Sequence, residues 1–221
     1  MSESDKTLDL LYPQLRSGLK RQNLDDTLAF SITEKANASI DTKRQFIADN
    51  TTALIAMAKT IAGVFAAGGK LLCMGNGGSS CDADHLAVEF NHPITTGRPA
   101  LPAINLSADT AMMTAVGNDL GFEQVFVRPL ISLGRPGDIL FGISSSGNSG
   151  NMIAAFKAAR DKNIKTCALL GGDGGGIARA SDVDHCIVVG STSVHRIQEC
   201  HVLAYHIIWD LVHTLLADTR Q

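Results

Sequence analysis

The sequence predicts an α/β domain in which helices cover both faces of a doubly wound, mainly parallel, five-stranded sheet. Five short apolar runs, at 70–74, 102–106, 138–143, 166–170 and 186–189, lack polar alternation, as strands buried on both faces do. Helix-like segments lie between or after them, at 111–116, 122–133, 149–162 and 194–216, and such alternation implies parallel strands joined by crossover helices. Glycine-rich turns follow three of the strands, at the carboxyl ends where open α/β sheets bind ligands.

With 221 residues, 45% of them hydrophobic, the chain can bury one substantial core, and nothing in it forces a second domain. A net charge of −3 and the absence of basic blocks argue against a nucleic-acid partner and leave small acidic ligands open. The charged first residues hold no apolar signal core, and no uninterrupted apolar run reaches membrane-spanning length, so a cytoplasmic location away from membranes is expected. Cys73, Cys81, Cys167, Cys186 and Cys200 form no C-x-x-C pair and read as reduced, mostly buried thiols.

The first strand runs into Gly75-Asn-Gly-Gly-Ser79, with Ser79, Ser80 and Asp82 as helix-start residues ahead of an Ala/Leu/Val periodicity. Glycines admit close backbone approach and a helix start attracts anions, so this turn suits a phosphate or sugar phosphate. On the helix, His85 and Glu89 are four apart, about 6 Å along one face. Such a pair can hold a metal, share proton-transfer work, or be a plain surface contact.

The third strand leads into Ser144-Ser-Ser-Gly-Asn-Ser149 and an Ala-rich helix. Four hydroxyls and several backbone donors at a helix start make a phosphate cradle without a lysine; the competing reading is a polar loop whose Asn148 or Ser149 caps the helix. No nucleotide P-loop is present, and Gly75-x-Gly77 has no third glycine at dinucleotide-binding spacing. The glycine run at 171–176 reads either as a flap over ligand or as a connector. In the last helix, Ile197, Val202, Ile208, Leu211 and Leu215 are expected to pack inward, and His195, His201, His206 and His213 to be surface or interface residues. Gln198 and His206 stand about 12 Å apart along it.

From about residue 24 onward the chain resembles the phosphoheptose isomerases, enzymes of the sugar-isomerase (SIS) domain class. The resemblance is carried by Gly75-Asn-Gly-Gly-Ser79 with Cys81-Asp-Ala, His85-x-x-x-Glu89, Gly117-Asn-Asp-x-Gly-Phe122, Gly142-Ile-Ser-Ser-Ser-Gly-Asn-Ser149, Gly172-x-x-Gly-Gly and Arg196-Ile-Gln-Glu-x-His201. It implies a flavodoxin-like three-layer sandwich, a single domain over 24–221 with N- and C-terminal packing helices, and an extension over 1–23 that is expected to be helical.

The resemblance further implies conversion of sedoheptulose 7-phosphate to D-glycero-D-manno-heptose 7-phosphate through an enediol, the first step toward ADP- or GDP-heptose for lipopolysaccharide or capsule. Substrate contacts would fall to Asn76, Gly77, Gly78, Ser79, Glu89, Asn118, Asp119, Ser144, Ser145, Ser146, Ser149 and Gln198. One zinc per subunit would sit on His85, Glu89, Gln198 and His206, with Glu89 and His206 as the acid-base pair, in a homotetramer with active sites between subunits. The chain departs from the family at His92-Pro93, where many relatives carry Gly-Arg; Arg98 is a candidate to compensate, and the sugar is the property this touches. The alternatives are an isomerase of another phosphorylated ketose and a noncatalytic SIS-domain adaptor similar to the replication-initiator-associated protein.

Overall fold

A computed structural model describes residues 24–218, so the extension at 1–23, with its expected helix, lies outside the described residues. The chain divides into two compact units, Met1–Asp41 and Thr42–Gln221, and the division falls within the first helix, α1 (Leu24–Ala66). In the first unit, the described part of α1 exposes Leu24, Leu28, Phe30, Ile32 and Ile40.

In the second unit the order after α1 is β1 (Leu71–Gly75), α2 (Gly78–Asn91), β2 (Ala103–Asn105), α3 (Thr110–Asp119), a 3₁₀ turn (Phe122–Gln124), α4 (Val127–Leu133), β3 (Ile139–Ser144), α5 (Gly150–Asp161), β4 (Lys165–Gly171), α6 (Gly175–Arg179), β5 (His185–Val189) and α7 (Val194–Asp218). The strands form one all-parallel sheet in the order β2-β1-β3-β4-β5. Each expected strand is found within a residue or two. Alternate side chains explain why the apolar runs are unbroken. Leu71, Cys73, Ile139, Phe141, Ile143, Cys167 and Leu169 pack on α2, α7 and the part of α1 beyond Thr42. Leu72, Met74, Leu140, Ala168 and Leu170 pack on the opposite layer, under Val116, Phe126, Leu130 and Phe156.

Three expectations need correcting. The segment read as one helix over 122–133 is a 3₁₀ turn followed by α4, because Pro129 is tolerated only in a first turn and so fixes a new helix start just before it. Part of the 171–176 run is helical, as α6 begins at Gly175. On α7, Ile197 and Ile208 are buried and Val202, Leu211 and Leu215 pack, partly buried, against the same core as expected, but the histidines differ from expectation. The buried row is Ile197, Cys200, His201, Ala204, Tyr205, Ile208, Val212 and Leu216, the spacing a 3.6-residue period dictates. Two of the four histidines are therefore core residues: His201 is 0% and His213 4% exposed.

By length and mean hydropathy (1.3), residues 194–217 pass for a membrane span, yet that buried row belongs to the central core cluster. All five cysteines are free, and burial pushes the thiols of Cys73 and Cys167 far up.

Candidate active site

The strand order reverses between β1 and β3, so the loops leaving these two strands diverge and leave a crevice between them. The first is the glycine turn. Gly77 adopts a positive φ of 55° as the residue before α2, and a Cβ on Gly75 would overlap the Ser79 carbonyl. Ser79 N donates to Asn76 O (3.0 Å), and Ser80 Oγ donates to Gly77 O (2.7 Å).

The second loop is the serine loop. Ser144 Oγ accepts from Gly147 N (3.1 Å) and Ser146 Oγ from Asn148 N (3.3 Å). Ser149 precedes α5 without spending its hydroxyl on a cap. The two loops are tied directly: the Asn76 and Asn151 amides exchange hydrogen bonds of 3.0 and 2.9 Å, with Asn151 only 3% exposed. Asn151 escaped the sequence reading; an amide directly after a Ser-Gly helix start was the available signal.

The glycine run after β4 supports the serine loop. Gly147, at φ 63°, lies so close to Gly174 that a Cβ there would overlap its carbonyl. Ile177 N donates to Gly147 O (2.9 Å), and Gly176 N to Asn148 Oδ1 (2.8 Å). These contacts make the run a buttress.

Helices α2 and α7 lie side by side and run parallel, as successive contacts show. A Cβ on Gly78 would run into the Gln198 amide nitrogen. Two turns on, His85 Nδ1 lies 2.7 Å from the Tyr205 hydroxyl. A turn further, Trp209 Nε1 donates to Glu89 O (2.8 Å).

This pairing gathers His85, Glu89 and His206, whose ligand atoms all fall within 4.8 Å of one another. His85 Nε2 is 3.2 Å from Glu89 Oε1, and the two imidazoles are 5.1 Å apart edge to face. A tetrahedral zinc with ligands at about 2.0–2.1 Å separates its donors by about 3.4 Å, so small closing movements of these side chains would fit one ion.

Burial pushes the nearby Asp82 carboxyl up to about 6, against the opposing pull of His85. An open cleft of about 420 Å³ adjoins His85, lined by Ser80, Cys81, Asp84, Asn105, Ser107 and Ala108.

The other expected site residues lie apart from this trio. Gln198 directs its amide nitrogen at Gly78, about 10 Å of helix before His85. Asn118 and Asp119 are exposed at the end of α3 and hydrogen-bond each other (2.8 Å). Arg98 is committed to Asp210 (2.5 Å) and stacks 4.4 Å over Trp209.

Residues 36–171 match the SIS domain, which defines the class of protein. Among curated relatives, the phosphoheptose isomerase of Chlorobium phaeobacteroides is 44% identical over 87% of either chain, and that of Chlorobaculum tepidum 47% over 84% of this chain and 89% of its own. The solved phosphoheptose isomerase of Francisella tularensis superposes with a TM-score of 0.80 at 34% identity, covering 84% of this chain and 98% of its own. The Neisseria gonorrhoeae enzyme gives 0.79 at 36% identity, covering 85% and 99%. The chain belongs to the phosphoheptose isomerase family.

Proposed function

We propose that the chain interconverts sedoheptulose 7-phosphate and D-glycero-D-manno-heptose 7-phosphate. The observation that carries this is the convergence of His85, Glu89 and His206 on one helix pair whose first helix starts at the glycine turn tied to the serine loop through Asn76 and Asn151. An adaptor needs no such cluster, and the relatives at 41–50% identity are named as isomerases.

The phosphate is held by the serine loop through Ser144, Ser145, Ser146, Ser149 and the free N–H groups at the start of α5, helped by the helix dipole. Asn76, Gly77, Gly78 and Ser79 line the opposite wall, where the Gln198 amide also points. Asn118 and Asp119 join the substrate across a subunit boundary in a homotetramer. Exposed Leu120 and Phe122 beside them, at 54% and 59%, support a covered surface there.

Moving the carbonyl from C2 to C1 requires one proton to pass between adjacent carbons. The Glu89 carboxylate takes the proton from C1 of the ketose and returns it to C2. The His206 imidazole passes the accompanying proton between the two oxygens and assists ring opening. Two nitrogens and one carboxylate oxygen fit zinc, and His85, Glu89 and His206 would hold it, with Gln198 as the fourth ligand that the family resemblance implies. Zinc bound there supplies carbonyl polarisation and stabilises the developing oxyanion charge. The two oxygens of Glu89 allow one to face the ligand set while the other addresses carbon. The free thiols support a cytoplasmic enzyme.

Turnover on five-, six- and seven-carbon ketose phosphates, with and without zinc, tests this reading. Preference for the seven-carbon substrate is expected. Preference for a shorter one would mean that the altered 92–98 region has changed the sugar, and no turnover on any would restore the adaptor.

A further inference from the structure

Tyr205 is almost completely buried, at 1% exposure, yet it spends its hydroxyl on a site side chain. Its ring packs against His85 at 5.4 Å and 80° and against His206 at 4.8 Å and 52°, so it contacts two of the three clustered residues, which also touch each other. Its oxygen lies 2.7 Å from His85 Nδ1, while the other ring nitrogen faces Glu89.

We propose that Tyr205 is a positioning residue for His85: its hydroxyl anchors Nδ1, so that Nε2 is aimed at the space shared with Glu89 and His206 in either tautomer of the ring. This role rests on the metal-site reading above.

The proton inventory explains why a phenol suits the position. In the neutral tautomer of His85 that carries its hydrogen on Nε2, Nε2–H donates to Glu89 Oε1 and the Tyr205 hydroxyl donates to the bare Nδ1. In the other neutral tautomer, which leaves the Nε2 lone pair free for a metal, Nδ1–H would donate to the Tyr205 oxygen. A hydroxyl can donate in the first arrangement and accept in the second, whereas a backbone carbonyl or an ionised carboxylate serves only the second.

Partners that fix the second nitrogen of a ligating histidine typically change metal affinity by about 10–100-fold. The test is zinc affinity by chelator competition for the wild type and Tyr205→Phe, paired with ¹⁵N NMR of the His85 ring in the unsubstituted protein. Expected are a 10–100-fold weaker zinc affinity in the variant with an unchanged fold, and a His85 Nδ1 that is unprotonated without zinc and protonated with it. Wild-type and Tyr205→Phe affinities within twofold of each other, or an Nδ1 that stays unprotonated in the zinc-loaded protein, would overturn the role. A wild type that takes up no zinc would instead overturn the metal reading itself, and this role with it.

Discussion

The serine loop and the His85–Glu89–His206 group serve the same proposed site, but the first is held by backbone and the second by side chains. The loop is shaped by the close approach of Gly147 to Gly174 and by N–H groups satisfied at fixed positions. The trio exists only because α2 and α7, 120 residues apart in sequence, run parallel and in step through Tyr205 and Trp209. A backbone-built site tolerates changes of side chain and fails when a glycine acquires a Cβ. A side-chain-built site keeps its shape when one group changes, but loses its chemistry.

The largest break is expected on the side-chain half. Glu89→Gln should cut turnover by about 10²–10⁴, the usual worth of a positioned proton carrier, while fold and phosphate binding persist; steady-state kinetics beside phosphate titration would check this. Normal turnover would mean that the base lies elsewhere.

Acid should discriminate between the halves next. Burial lowers the pKa of His201 from 6.5 to about 4 against the opposing pull of the Leu170 backbone, whose approach is too poor to make a hydrogen bond of good geometry to either ring nitrogen. The unfolded chain therefore binds this proton at a higher pH than the folded one. The His201 contribution to stability is fully present above about pH 6.5 and is lost as the pH falls through 4, a change of about 3 kcal/mol at about 1.4 kcal/mol per pH unit. Denaturant melts from pH 7 to 4 should show this slope, and His201→Leu should flatten it.

On the backbone half, Gly147→Ala meets both an unfavourable φ and the Gly174 carbonyl. About 1–3 kcal/mol of lost stability is expected, together with a raised KM, read by thermal melts and kinetics. The smallest effect belongs to single hydroxyls: Ser146→Ala or Ser149→Ala should raise KM several-fold, from the loss of one hydrogen bond worth about 1 kcal/mol, with little change in kcat. An unchanged KM in both would remove the phosphate from this loop.

The same contrast decides what could be read from the sequence. Strands buried on both faces announce themselves as unbroken apolar runs, and the glycine and serine loops are local patterns beside them. His85 and Glu89 were visible as an i, i+4 pair. Their meeting with His206, the Tyr205 anchor and the Asn76–Asn151 tie depend on packing between distant segments, which no local spacing encodes. The run at 171–176 stayed ambiguous for the same reason, since its partner is Gly147. Pro129 is legible as a helix breaker within 122–133, and the inward aliphatic residues of α7 follow from their spacing, but His201 and His213 lie on the buried side despite their polarity, which only the packing of α7 reveals.

The most direct test of the Glu89 proton transfer is to run the zinc-loaded protein with sedoheptulose 7-phosphate in deuterated water and follow the products by NMR. Heptose 7-phosphate carrying deuterium at C2, with neither product nor exchange in Glu89→Gln, is the expected result. Product without solvent deuterium would mean that Glu89 returns the same proton before it exchanges; product or exchange that survives in Glu89→Gln would contradict the account.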